Sequence, residues 1–515
     1  MRRLASRAML ARAHAFTIDA VQARHVTVEV DVRKGMPTFT VVGLAGASVS
    51  GARERIRHAF VNSGFHWPSR RITANLAPGD LPKAGPGLDL ALACAILAAT
   101  GQVPAERLVR LALFGELGLD GTVRPAHGTL AVAGAARRLG IQGLALARDA
   151  APRAALVNGL LVAPVADLRE AAALLAGRAP AEVPRVEPRG ASGAEAPGPA
   201  LDLADVRGRG EAVRSLVLAA AGGHSLLLSG PPGVGKTMLA RRIPGILPAP
   251  DREEAIELAR LHGLEDGEGL PARRPFRAPH HTIGVPAMIG SPRSGAPGEA
   301  ALAHRGVLFL DELSEFSRPV LGALRRPLEE GLVTASRAGA TVTRPARFML
   351  VCATNPCACG FAGEAGRCSC GAGELARHRR RVSGPLLDRI DVLVAIPAGA
   401  GGGPSPRSEQ ARSEVLAARE RQARRLRGTG LRLNAEMQEA QIAEHVRLGS
   451  RAEALLQGAR RRGELSGRGE ARALKLARTI ADLRGADRVQ AADVASALAL
   501  GPARARPAPG APSAT

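Results

Sequence analysis

The sequence predicts an α/β protein. A parallel-sheet core surrounds a phosphate-binding loop, a helical region follows it, and a smaller α/β or α+β domain stands in front. Three stretches carry the prediction. Gly230-Pro231-Pro232-Gly233-Val234-Gly235-Lys236-Thr237 fits G-x-x-x-x-G-K-[ST], with a short apolar run before it (Ser225–Ser229) and a helical start after it (Met238–Ile243). Val307-Leu308-Phe309-Leu310 is a second apolar strand, ending in the carboxylates Asp311 and Glu312. Phe348–Cys352 is a third, ending in Ala353-Thr354-Asn355.

The residue types dictate the chemistry. Glycines let the loop backbone curl so that N–H groups face phosphate oxygens, and the helix start adds a favourable dipole. Lys236 is expected to reach the β- and γ-phosphates, and Thr237 to ligate Mg²⁺. Asp311 is expected to hold the Mg²⁺ through water, Glu312 to polarise the attacking water, and Asn355 to sit beside the γ-phosphate. Together these imply ATP as substrate, Mg²⁺ as cofactor and hydrolysis as the reaction.

Length and composition set bounds. The 515 residues allow about two to four domains. There is no run of about 18 apolar residues, so no membrane span is expected. The basic start, MRRLASRAMLARAHAF, lacks a sustained apolar stretch and a cleavage site, which argues against a secretion signal. Six cysteines in so long a chain do not make a disulfide scaffold, and a cytoplasmic location is expected. The net charge of +23 points to an anionic partner such as nucleic acid. The cations are almost all arginine, with lysine only at 34, 83, 236 and 475, and that skew fits coding bias equally well. Aromatics at 2% and the lack of tyrosine argue against base-stacking platforms.

Residues 1–178 form the first expected domain. His25–Val32 alternates as a half-buried strand, and Thr38–Gly43 and Arg71–Leu76 read as further strands. Val49–Ser63 has helical spacing, and Leu88–Thr100 is a nearly all-apolar helix. Four segments, Phe39–Gly43, Asn62–Phe65, Arg71–Leu81 and Gly115–Pro125, resemble the Lon-protease-like domain at the front of the ComM/YifB family of magnesium-chelatase-like AAA+ ATPases. That resemblance implies where a Ser/Lys dyad would stand. Lys83-Ala84-Gly85-Pro86 is followed by Gly87 instead of serine, and the lysine position falls near Leu130, with no lysine from 84 to 235. Without nucleophile and base there is no acyl transfer.

Residues 179–200 are Pro/Gly/Ala-rich and read as a linker. The core is expected over 201–400. Within it, Glu211–Ala221 and Leu321–Leu332 read as helices, and Val333–Arg347 as a hairpin carrying Arg337, Arg344 and Arg347. His280 and His281 adjoin, but neighbouring side chains rarely chelate one ion, and no carboxylate or cysteine stands at ligand spacing. Arg274–Ile283 is similar to a family signature before a helix-interrupting insert, and Gly284–Gly298 reads as that insert's loop. In the resembled superfamily the insert and hairpin face a pore and grip DNA; solvated surface arginines are the alternative.

Cys357-x-Cys359 and Cys368-x-Cys370 present two close thiol pairs that suit tetrahedral Zn²⁺, or else four reduced cysteines in a loop. Ser383–Asp391 resembles an arginine-finger segment, so Arg389 is implied to reach the γ-phosphate held by a neighbouring subunit; the alternative is pairing with Asp388 or Asp391. Such a finger implies a ring, usually a hexamer. Residues 401–500 read as a helical lid, including Glu409–Arg427, with Arg419–Arg427 expected as a solvated arginine face, and Ala471–Leu483. Arg468 resembles the family's second sensor arginine in contact with nucleotide, with Arg472 as the alternative. Residues 501–515 read as a disordered tail.

The resemblance spans nearly the whole chain and implies a hexameric motor that drives DNA branch migration, on single-stranded or branched DNA, in competence or recombination. Rival readings are a magnesium-chelatase-like motor remodelling a protein partner, an ATP-dependent protease, and a non-enzymatic scaffold. Two departures stand out: Gly208-Arg209 where relatives carry Gly-Gln, and Ile289-Gly290-Ser291 in place of a glycine triplet.

Overall fold

The structure, a computed structural model, describes residues 9–19, 22–43, 51–81, 83, 85–183, 201–264, 270–291, 296–337, 340–364, 366–382, 386–399 and 403–501. Residues 184–200 of the expected linker, 292–295 of the expected insert, 383–385 of the finger segment and 502–515 of the expected tail lie outside them. The chain divides into two compact units, Met1–Gly193 with Ala255–Leu270, and Ala194–Glu254 with Pro271–Thr515.

The first unit is built on a mixed seven-stranded sheet. Its strands are β1 (Met9–Asp19), β2 (Gln22–Arg33), β3 (Thr38–Val42), β4 (Arg71–Ala77) and β5 (Leu111–Phe114). After the small ribbon β6 (Glu116–Leu117) and β7 (Val123–Arg124) come β8 (Gly143–Ala147) and β9 (Leu161–Val165). The order is β3-β4-β2-β1-β5-β8-β9. Alternation decides the buried face: Val28, Val30 and Val32 pair with Leu76, Ala74 and Ile72, and all six are buried. Helix α1 (Ala52–Asn62) lays Ile56 and Phe60 on the core, and α2 (Asp89–Ala99) is buried nearly all round, as its composition predicts. Buried Asp89 starts α2 and is paired to Arg55 at 2.8 Å. Part of the expected core span belongs here: Ala259, with Ile256, joins this unit's apolar core, because the helix Arg252–His262 turns those side chains to it.

The second unit holds a parallel five-stranded sheet. Helix α3 (Gly210–Gly222) leads to β10 (Leu226–Ser229), and the phosphate loop to the short α4 (Lys236–Ala240). Then follow β11 (Phe276–Arg277), β12 (Val307–Leu310), the hairpin β13 (Leu332–Arg337) and β14 (Ala340–Pro345), β15 (Met349–Thr354) and β16 (Val392–Ala395). The order β11-β12-β15-β10-β16 seats β10 between β15 and β16. The C-terminal tips of β10, β12 and β15 therefore share one edge, where open α/β sheets take ligands.

The helix expected over Leu321–Leu332 is broken into Arg318–Ala323 and Arg325–Glu330. Pro327 cannot donate to the preceding turn, and Gly331, at φ 68°, ends the second piece before β13. The helical region contains α5 (Ser408–Arg425), α6 (Ser450–Arg461), α7 (Gly467–Leu483) and α8 (Ala491–Leu500). The solvated arginine face expected over Arg419–Arg427 holds for the exposed Arg424 and Arg427 and is corrected for the half-buried Arg419, Arg421 and Arg425. Arg419 donates to the Ala220 carbonyl at the end of α3, Arg421 to the Asp482 carbonyl, and Arg425 to both Asp482 carboxylate oxygens at 2.7 and 2.6 Å. Long arginine stems reach across the helix packing to carbonyls that have no helical partner. Among the described residues no helix is long and apolar enough to cross a membrane.

Asp482 is the hub of that packing. It is buried and accepts from Arg425, Arg478 and Asn434, while Thr479, one turn before it, meets His224 at 2.8 Å. Removing one partner of a buried ion pair leaves uncompensated charge and costs about 3–5 kcal/mol. Asp482→Ala should therefore lower the unfolding free energy of the second unit by that amount, measured by urea denaturation against the parent chain.

Candidate functional site

The phosphate loop leaves β10 and turns through Gly235, at φ 89°, into α4. A left-handed backbone at that position suits glycine and lets Lys236 begin the helix while its side chain folds back over the loop. Lys236 Nζ donates to the Gly230 carbonyl (2.6 Å), the Pro231 carbonyl (2.8 Å) and Asn355 Oδ1 (2.9 Å). Burial pushes its ammonium below the ordinary lysine range, against the pull of Asp311 and Glu312. The expected helix Met238–Ile243 is shorter: α4 stops at Ala240, and a further turn spans Ile243–Ile246.

From β12, Asp311 Oδ2 accepts from the Thr237 hydroxyl at 2.7 Å, and Asp311 Oδ1 accepts from the Glu312 amide at 3.0 Å. Glu312 sits in the left-handed region at φ 52°, an uncommon and costly place for a non-glycine residue. Its carboxylate is well exposed, and Oε2 lies 3.9 Å from His281 Nδ1. The His280 and His281 rings lie 4.1 Å apart between centroids, tilted by 34°. The sequence spacing hid this carboxylate, because it reaches His281 from another strand. From β15, Asn355 is fixed on its other side by His378, whose Nε2 meets the Asn355 carbonyl at 2.9 Å.

The structure thus gathers Lys236, Thr237, Asp311, Glu312 and Asn355 at one sheet edge. The set offers a cationic ammonium, a hydroxyl–carboxylate oxygen pair and a free carboxylate. Such an arrangement can hold a polyphosphate, ligate a hard divalent cation and activate water.

Arg389 and Arg468 do not join this cluster. Both line a cavity of about 1160 Å³, together with Glu329, Asp388 and Arg472, and no residue of the loop Gly230–Thr237 lines it. The acid partner of Arg389 is Glu329, neither Asp388 nor Asp391. Asp391 instead accepts from the Ser225 amide (3.2 Å) and faces His224 Nδ1 (3.4 Å). The Glu329 carboxyl is held below its usual range first by the Arg389 hydrogen bond, with Arg468 and Arg325 adding. Of the hairpin arginines, Arg344 is buried, Arg347 is exposed at the wall of the cavity, and the side chain of Arg337 lies outside the described residues.

The sulfur atoms of Cys357, Cys359, Cys368 and Cys370 all lie within 4.8 Å of one another. Cys357 is 3.3 Å from Cys359 and 3.8 Å from Cys368, and Cys359 is 3.6 Å from Cys368. A tetrahedron with metal–sulfur bonds of about 2.3 Å has edges of about 3.8 Å, so the donor set fits a thiolate metal centre. The Phe361 amide and the Cys357 thiol pull Cys359 down to about 6, which favours its thiolate.

The contacts of His224, Thr479 and His378 escaped the sequence reading, and Asp391 was read only as an alternative partner of Arg389. Only the position of His224 immediately before β10 could have signalled that it braces the loop strand.

The loss of one catalytic group should separate binding from turnover. Glu312→Gln should lower ATP turnover by about 10²–10⁴-fold with nucleotide binding kept, compared by steady-state phosphate release and equilibrium titration with labelled ATP.

Three family descriptions match the chain in succession: "Subunit ChlI of Mg-chelatase" over residues 28–150, "Magnesium chelatase, subunit ChlI" over 202–402, and "Magnesium chelatase, subunit ChlI C-terminal" over 405–500. Among curated relatives, the uncharacterized protein YifB of Escherichia coli is 42% identical, covering 91% of this chain and 92% of its own length. An uncharacterized protein of Mycobacterium tuberculosis, Rv2897c, is 41% identical over 95% and 98%. The competence protein ComM of Haemophilus influenzae is 40% identical over 93% and 94%.

Proposed function

The chain belongs to the ComM/YifB family of magnesium-chelatase-like AAA+ proteins, and from that premise we propose that it is a ring-forming, Mg²⁺-dependent ATP hydrolase that moves along or remodels DNA. The observation that carries the reading is the pair of contacts Lys236–Asn355 and Thr237–Asp311, which ties the loop to the tips of β15 and β12. ATP is the substrate. Lys236 holds its outer phosphates, and Gly230, Pro231, Pro232, Gly233, Val234 and Gly235 offer the loop backbone. Thr237 and Asp311 would hold Mg²⁺, which when bound neutralises phosphate charge. Glu312 orients and deprotonates water, and Asn355 positions the γ-phosphate.

Arg389 completes the site of a neighbouring copy. It lines a cavity together with Arg468, and no residue of its own phosphate loop lines that cavity, which supports action in trans by both arginines. Release from Glu329 is then part of assembly. A hexamer is the ring size we infer. The four cysteines hold Zn²⁺.

We read residues 1–178 as a Lon-protease-like domain without a dyad, 201–400 as the ATPase core and 401–500 as the lid. At Gly87 an added Cβ would lie 2.4 Å from the Phe114 ring, so the position where a serine would stand is filled by a neighbour. Leu130, at the lysine position, is buried. Both features count against proteolysis.

DNA as the partner rests on the +23 charge and on the name of the competence relative. Purified chain should hydrolyse ATP faster with single-stranded or branched DNA than without, and the stimulation should fade as salt rises because phosphate contacts are lost to counterions. Turnover indifferent to every DNA at both salt concentrations would move the reading to a motor acting on a protein partner.

A further inference from the structure

The cysteine cluster lies against the ATP site. Asn355 and Cys357 are two residues apart, so the first thiol pair begins where β15 delivers its polar tip. After the second pair, the helix Ala372–Val382 returns and places His378 Nε2 2.9 Å from the Asn355 carbonyl. The loop between the pairs therefore closes on both sides of one residue, the same one that accepts from Lys236. A second contact reaches the phosphate loop itself. Gly360 follows Cys359, and a Cβ built on it would stand 2.6 Å from Pro232 Cδ. The turn and the loop touch with no room for a methyl group between them.

Within the cluster, amides already point at sulfur. The Ala362 amide donates to Cys357 Sγ at 3.2 Å, and the Cys359 amide to Cys370 Sγ at 3.4 Å. Arg367 lies over the Phe361 ring at 4.1 Å and pairs with Glu364, which fastens the outer part of the turn. A metal ion joining the four sulfurs would lock this turn, and with it both contacts to the ATP site.

We propose that the cysteine cluster is a metal-dependent positioning element of the nucleotide site. Bound Zn²⁺ fixes the Cys357–Cys370 turn so that Asn355 and Pro232 hold Lys236 and the phosphate loop in their ATP-binding form. This rests on reading the four thiolates as zinc ligands. The metal takes no part in the reaction. Its effect is on how well the loop is organised before ATP arrives, so its loss weakens nucleotide affinity as well as turnover.

The full chain supplies the test. Zinc content is measured by atomic emission, nucleotide affinity by titration with a fluorescent ATP analogue, and kcat and KM by phosphate release. Zinc is then stripped with a strong chelator and added back. One zinc per chain is expected, with about tenfold weaker nucleotide binding after stripping and recovery on re-addition of Zn²⁺ alone. Cys368→Ser/Cys370→Ser should reproduce the stripped state while far-ultraviolet circular dichroism stays that of the parent. Gly360→Ala, which crowds Pro232 and strains a left-handed backbone at φ 90°, should keep its zinc and bind nucleotide more weakly. A stripped chain that retains zinc-free but unaltered nucleotide affinity and KM overturns the positioning role and leaves the metal site standing. A chain that neither contains nor takes up zinc overturns the metal reading and the inference together.

Discussion

Lys236 Nζ donates to two carbonyls of its own loop and to Asn355 Oδ1, all within 2.9 Å, and this tether sets the shape of everything around it. A half-buried ammonium gains from such partners, because burial removes part of its hydration. Here the acceptors come from the loop and from a different strand. The loop is consequently stitched to the tip of β15 and, through Thr237 and Asp311, to the tip of β12. The sheet order follows from the same demand. With β10 between β15 and β16, the loop sits beside β15 and within reach of β12. On the proposed reading, phosphate oxygens would take the place of the carbonyl acceptors of Lys236.

The second constraint is the join between the sheet and the C-terminal helices. His224 stands just before β10, meets Asp391 just before β16, and reaches Thr479 on α7 at 2.8 Å. Thr479 and Asn434 then lead to Asp482 and its arginines. The C-terminal helices are thus coupled by hydrogen bonds to the residue just ahead of the strand that leads into the loop. Arg389 lies two residues before Asp391 in the same short segment, and Arg468 stands in the first turn of the helix that carries Thr479. Both arginines are therefore carried by elements that also contact the residues beside the loop strand.

Much of the site was legible in the sequence for a plain reason. The loop motif, Asp311-Glu312 and Asn355 each follow an apolar run, and a strand tip is where a short run must end in polar residues. The all-apolar helix Asp89–Ala99 and the alternating Val26–Val32 stretch were legible because burial on one face or on all faces writes itself into periodicity. The rest was not. The His224–Asp391 and His224–Thr479 contacts join residues 167 and 255 positions apart, and no local pattern encodes such a meeting. Arg419, Arg421 and Arg425 read as solvated because charge usually is; their partial burial depends on which carbonyls the neighbouring helices leave open. His281 read as isolated because its carboxylate neighbour arrives from β12. The helix break at Pro327 was visible as a residue but outweighed by the apolar spacing around it.

The account stands or falls on a nucleotide site shared between copies, and complementation measures that directly. Glu312→Gln subunits keep Arg389 and lack the water-activating carboxylate; Arg389→Ala subunits keep the carboxylate and lack the finger. Each variant alone should turn over ATP at a small fraction of the parent rate. Mixed in equal amounts and allowed to exchange, they should recover a substantial share of parent turnover, since some interfaces then pair an intact Glu312 with an intact Arg389. Full activity of Arg389→Ala by itself, or a mixture as silent as its parts, would contradict the shared site.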